Sequence, residues 1–152
     1  VVAVMALCEA AAYYKSKGIT LCEQMQNLYH KYGFYKESLF FQTFQGMEGK
    51  AKIDGLMDAL RNEPPKQVGP FKVTALEDYK KSVRTDIATG ETSALTLPES
   101  NVLYFELEDG AWFCVRPSGT EPKIKYYAGV KGADAQDAED KLEALSKAVV
   151  EL

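Results

Sequence analysis

Trp112-Phe113-Cys114-Val115-Arg116-Pro117-Ser118-Gly119-Thr120-Glu121-Pro122-Lys123-Ile124-Lys125-Tyr126-Tyr127 reads as a strand, a loop and a second strand. Aromatic and β-branched runs at either end have strand character. Pro117 and Pro122 pin the loop between them, because proline fixes φ and removes an N–H. At its centre Ser118 and Thr120 place two hydroxyls around Gly119, a residue free to take φ > 0. Successive N–H groups in such a turn can converge on an anion. Arg116 adds a planar fork of donors suited to phosphate, and charge-assisted bonds of that kind are the strong ones. Lys125 follows closely enough to add positive potential, and Lys123 shares its strand face by the two-residue period. The chemistry of the stretch is capture of a phosphate or carboxylate, with no nucleophile and no metal ligand set.

Outward from this loop the elements alternate in type. Asn101 to Glu108 carries Leu103, Phe105 and Leu107 on one side, and Asp109-Gly110 before Trp112 is a strong hairpin signal. The strand after the loop runs from Ile124 to Val130 and stops at Gly132. A helix from about Asp134 to Leu152 follows, with Ala138, Leu142, Leu145, Val149 and Leu152 as its stripe and acids crowding its first turns. Upstream, residues 38–45 are strand-like, and a helix follows with Ile53, Leu56, Met57 and Leu60 on one face, ending between Asn62 and Pro65. Phe71 to Leu76 is a further strand candidate, whereas the polar stretch from Tyr79 to Ser93 is expected to be a long excursion or a flexible loop. The expected order from residue 38 is β-α-β-β-β-α, an α+β fold with a four-stranded antiparallel sheet and two helices on one face.

Two helices precede it. Residues 1–17 end at a capping Gly18. Thr20 and Glu23 then form a capping box for a helix carrying Leu21, Met25, Leu28 and Tyr32, stopped by Gly33. The first helix opens apolar without a cap, which is expected of the truncated end of something larger. The tyrosines at 13, 14, 29, 32 and 35 are expected to pack against the rest of that larger body.

Arg116-Pro117-Ser118-Gly119-Thr120-Glu121-Pro122 followed by a basic strand resembles, without a break, the phosphate-binding loop in the last domain of the α-D-phosphohexomutases, the phosphoglucomutase/phosphomannomutase family. The element order from residue 38 is similar to that domain's fold. The resemblance implies that residues 1–33 close the preceding domain and that residues 34–152 are the C-terminal phosphate-binding domain. It implies that Arg116, Ser118, Gly119, Thr120 and Lys125 hold the phosphate of a hexose phosphate that is not being transferred. In the whole enzyme a phosphoserine would move a phosphoryl group between positions 1 and 6, with magnesium and a hexose 1,6-bisphosphate activator. Those loops would lie in upstream domains of the same chain, so no catalytic or metal-binding residue is expected here and the chain alone should be inactive. The region Gly33-Phe34-Tyr35 is the implied hinge for domain closure.

Composition narrows the alternatives. Eighteen basic against twenty-two acidic residues give a net charge of −4, which argues against a nucleic-acid binder needing a basic face. A G-x-x-G turn at Gly46 to Gly49 followed by Lys50 is a weak nucleic-acid signal, interrupted by Glu48. Cys8, Cys22 and Cys114 form no C-x-x-C pair and suit a reducing, cytoplasmic setting. His30 is the sole histidine and is expected to be an exposed helix residue, which excludes histidine-based zinc sites and serine triads. Neither Glu106 with Glu108 nor Asp134, Asp137 and Asp140 makes a defensible catalytic group, and no stretch is apolar enough to span a membrane. Two other classes stay open: a free-standing anion- or nucleic-acid-binding module, and a structural domain whose loop is only a turn.

Overall fold

The computed structural model describes every residue except 45–47, so the end of the expected strand 38–45 and the Gly46 turn lie outside the described residues. Two compact units emerge, Val1–Phe34 and Tyr35–Leu152.

The first unit holds α1 (Val2–Ser16) and α2 (Leu21–Tyr32). Gly18, at φ 73°, takes the left-handed turn between them. The capping box forms as expected: the Thr20 hydroxyl accepts the Glu23 N–H at 3.1 Å, and the Glu23 carboxylate accepts the Thr20 N–H at 2.7 Å. Neither helix buries a residue. Thirty-odd residues in two helices have too little apolar surface to close a core of their own.

The second unit holds β1 (Phe34–Thr43, beginning at the unit boundary), α3 (Glu48–Asn62), β2 (Gln67–Val68), β3 (Phe71–Asp78), β4 (Val83–Asp86), β5 (Thr92–Ala94), β6 (Leu103–Leu107), β7 (Trp112–Pro117), β8 (Lys123–Gly132) and α4 (Ala135–Val150). The sheet runs β1-β8-β7-β6-β3-β4-β5, with β2 paired to β3 beside that path. The pairings from β8 across to β5 are antiparallel. Phe44 bonds to Pro122 just before β8 begins, while Tyr35 meets Lys131 near the end of β8, so β1 is antiparallel to β8 as well. The α+β class with an antiparallel sheet holds, but the expected four strands undercount it: the sheet has eight.

Part of the difference lies in the stretch expected to be a loop. Residues 79–93 contain β4 and the start of β5. Two devices make this possible: Ser82 takes φ 52° to turn β3 into β4, and the Asp86 carboxylate organises the turn into β5. Polar residues that fold back through their own side chains look loop-like in sequence. The Asp-Gly hairpin forms as expected, with Asp109 and Gly110 both at positive φ (59° and 71°) as a type I′ connection requires.

Alternation puts one face of the sheet in the core. Leu103, Phe105 and Leu107, Phe113 and Val115, and Ile124, Tyr126, Ala128 and Val130 are buried together with Ile53, Met57 and Leu60 of α3 and Leu142, Leu145 and Val149 of α4. Phe105 and Phe113 stack across β6 and β7 with centroids 4.4 Å apart. Leu152 departs from the expected α4 stripe: the helix ends at Val150 and Leu152 is exposed. Asp78 is the buried acid of this core. Its carboxylate accepts from Arg61 Nε at 2.9 Å, and Arg61 is also held by Asp58 and Asn101. Removing Arg61 alone would strand a buried charge, at a cost of about 3–5 kcal/mol.

Candidate functional site

The β7–β8 connection is built by cross-strand register. Val115 faces Tyr126 on the core side, so the next pair, Arg116 opposite Lys125, is turned to the other face. Residues directly opposite on antiparallel strands have Cβ atoms about 4.5–5.5 Å apart, and like charges so placed repel. Neither cation is ion-paired among the described residues, and Arg116 is exposed. The fold thus places two positive residues opposite one another beside the loop.

The loop closes at its base. The Ser118 N–H donates to the Lys123 carbonyl at 2.8 Å, and the Lys123 N–H donates to the Glu121 carbonyl at 2.7 Å. This corrects the expectation of a nest of successive amides in two respects. The Ser118 amide is already engaged, and Gly119 does not take the left-handed conformation that such a turn uses. The prolines and the strand register shape the loop instead. What remains outward is a smaller set: the Gly119 and Thr120 amides and the Ser118 and Thr120 hydroxyls have no protein partner among the described residues. A Cβ built on Gly119 would meet nothing within 4 Å. Neither backbone conformation nor internal packing calls for glycine there.

On its α3 side the loop borders a cleft of about 330 Å³, lined by Lys50, Ile53 and Asp54 opposite Pro117 to Pro122. Lys50 and Asp54 carry no local sequence signal for this position, because helix and loop meet only through the fold. Lys123, grouped with Lys125 by strand period, is engaged differently: its ammonium lies 2.9 Å from Glu121 Oε2 and over the Phe41 ring. That i, i+2 pair was within reach of the sequence.

The other candidates are accounted for internally. Glu106 receives both Arg84 Nε at 2.6 Å and Arg84 Nη2 at 2.8 Å, and this bidentate bond holds its carboxyl below the usual carboxylate range. Glu108 accepts the Lys72 N–H, and Asp134 caps α4 by accepting the Asp137 N–H. Burial pushes the Cys114 thiol up to about 11, away from reactivity. His30 is exposed, edge-on to Phe34. Among the described residues there is no group of three or more histidine, cysteine or acidic residues placed to hold a metal ion. No described helix is long and apolar enough to cross a membrane.

Comparison with known proteins bears on this arrangement. Residues 56–147 match the family model described as phosphoglucomutase/phosphomannomutase, C-terminal domain. A phosphoglucomutase of Staphylococcus aureus (strain MRSA252) is 37% identical over 135 residues, covering 89% of this chain and 24% of the relative. A phosphoglucomutase of Staphylococcus epidermidis (strain RP62A) is 38% identical over 120 residues, covering 79% of this chain and 22% of the relative. The chain therefore spans about a quarter of the length of these relatives. The fold is similar to part of the open form of parafusin, a Paramecium phosphoglucomutase, with TM-score 0.51 and 17% identity over 97% of this chain and 25% of that one. The matched segment runs from the middle of α3 into α4 and includes the whole β7–β8 loop, and by that match this chain belongs to the phosphoglucomutase/phosphomannomutase family, carrying its C-terminal domain.

Proposed function

We propose that this chain holds the non-transferring phosphate of a hexose phosphate while another part of a full-length phosphohexomutase moves the phosphoryl group between positions 1 and 6. The observation that carries the reading is the Arg116–Lys125 pair, two cations opposed across β7 and β8 beside hydroxyls and amides with no protein partner. A phosphate placed there turns a repulsive pair into two charge-assisted contacts. Ser118 and Thr120 donate hydroxyls, Gly119 leaves room for close approach, and the amides of Gly119 and Thr120 complete the donor set.

Such a site acts by positioning. Binding energy from the remote phosphate orients the reacting end of the sugar without touching it. A site that reads only phosphate serves the substrate in either orientation, which a 1-to-6 exchange demands. The phosphoserine, the magnesium and the bisphosphate activator belong to other parts of the full-length enzyme, so this chain alone is catalytically silent.

Arg116→Ala in the full-length enzyme tests the reading. Loss of a charge-assisted contact of about 1.5–3 kcal/mol lowers kcat/KM for glucose 1-phosphate by roughly ten- to a hundredfold, with the unfolding midpoint unchanged. An unchanged kcat/KM contradicts it.

A further inference from the structure

Beyond the Ser118–Lys123 bond that closes its base, the loop is tied down on one side only. The Pro122 carbonyl accepts the Phe44 N–H at 2.9 Å, and the Lys123 N–H reaches the Glu121 carbonyl at 2.7 Å. The Lys123 ammonium lies 2.9 Å from Glu121 Oε2 and 4.6 Å from the centroid of the Phe41 ring on β1, and its side chain is only 20% exposed. The half of the loop that carries an acid is thus fixed to β1 and β8. Gly119 and Thr120, in the other half, have no such ties among the described residues.

Glu121 is the one acid between Arg116 and Lys125. A carboxylate left unpaired there would repel the phosphate its neighbours attract. Across the cleft Lys50 and Asp54 are of opposite sign, and neither is ion-paired with Glu121 among the described residues, so its relief has another source. Lys123 gives it. Its ammonium, ahead of the more distant Lys125, keeps the Glu121 carboxyl below the usual carboxylate range.

We infer that Lys123 is a positioning residue for phosphate capture: braced on Phe41, it holds the Glu121 carboxylate at the base of the loop and cancels its charge. Arg116, Gly119 and Thr120 then meet phosphate without competition from the loop's own acid. The inference rests on the proposed phosphate-holding role and adds to it a residue that does not itself touch the ligand.

The test is binding of glucose 1,6-bisphosphate to the 152-residue chain, followed by amide shifts, for four proteins. Lys123→Met keeps an apolar stem over Phe41 and removes the charge. It weakens binding by about two- to fivefold, the range of an exposed charge pair, and the difference shrinks at high salt. Lys123→Met with Glu121→Gln returns to the affinity of the unaltered chain, a rescue that a merely structural role for Lys123 would not give. Unaltered affinity in Lys123→Met, or a double variant as weak as the single one, overturns the inference. Arg116→Ala separates the two levels. If it binds as tightly as the unaltered chain, the phosphate-holding role itself fails; if it loses binding while Lys123→Met does not, only the role of Lys123 falls.

Discussion

Two hairpin tips of the same sheet are made of similar residues and do opposite things. The β4–β5 tip contains Asp86, Thr89, Gly90 and Glu91; the β7–β8 loop contains Ser118, Gly119, Thr120 and Glu121. At the first, polar groups are turned inward. Asp86 Oδ1 accepts the Ala88 N–H at 3.0 Å, the Thr89 N–H at 2.8 Å and the Thr89 hydroxyl at 3.1 Å. Thr89 Oγ1 in turn accepts the Glu91 N–H, and the Asp86 and Gly90 amides bond within the turn. Gly90 sits at φ 73°, a conformation that asks for glycine. At the second tip the hydroxyls and two amides have no such partners, and Gly119 has no conformational reason to be glycine. A loop that satisfies itself is structure; a loop that leaves donors open beside two unpaired cations is the one proposed here as a site.

The hydroxyls give the sharpest contrast. Ser118→Ala and Thr120→Val each weaken binding of glucose 1,6-bisphosphate by about tenfold or more, the loss of a hydrogen bond to a charged group, while leaving urea midpoints in place. Thr89→Val does the reverse, lowering the midpoint with no change in affinity. The glycines divide in the same way. Gly90→Ala costs about 1 kcal/mol in urea denaturation, because alanine must enter the left-handed region, and does not touch affinity. Gly119→Ala leaves stability alone and reduces affinity by crowding the phosphate, as binding titrations of the folded variant would show. If both glycine variants changed only stability, the distinction between the tips would collapse.

The smallest effect concerns a carboxylate on β6 that belongs to neither tip. Arg84 of β4, reaching across β3 to Glu106 on β6, holds the Glu106 carboxyl below the usual carboxylate range in the folded protein. A depressed folded pKa gives stability that is present above the ordinary carboxylate range and is lost as pH falls through the folded value. Glu106→Gln is therefore less stable than the parent at pH 7 by about 1 kcal/mol or less, since the pair is a third exposed. The gap closes below about pH 4. Denaturation at both pH values checks this, and kcat/KM of the full-length enzyme is expected to stay constant.

The contrast also explains what was legible in the sequence. Strands with one buried face announced themselves by alternation: Leu103, Phe105 and Leu107, or Ile124 and Tyr126. The turn chemistry at Thr20, Asp109 and Gly110 is local and was read from neighbours in the chain. β4 and β5 escaped because their residues are half-buried or exposed and alternate weakly, and their order comes from Asp86 and from pairing with β3. In the loop, residue types identified the donors, but which amides stay open could not be read from types. Ser118 N–H goes to Lys123 through register, and Gly119 stays outside the left-handed region. Lys50 and Asp54 reach the cleft only through the packing of α3, which no local pattern encodes.

The central claim is that the open donors of the β7–β8 loop hold phosphate, and amide chemical shifts of the 152-residue chain during titration with glucose 1,6-bisphosphate test it most directly. Three charge-assisted bonds of about 1.5–3 kcal/mol each work against an association cost of about 4–15 kcal/mol, so saturation is expected near millimolar ligand. The account predicts the largest shifts at Gly119 and Thr120, smaller ones at the engaged amide of Ser118, none at Ala88 to Glu91, and loss of all of them in Arg116→Ala. Shifts centred on the β4–β5 tip, or shifts at the β7–β8 loop that survive in Arg116→Ala, would contradict it.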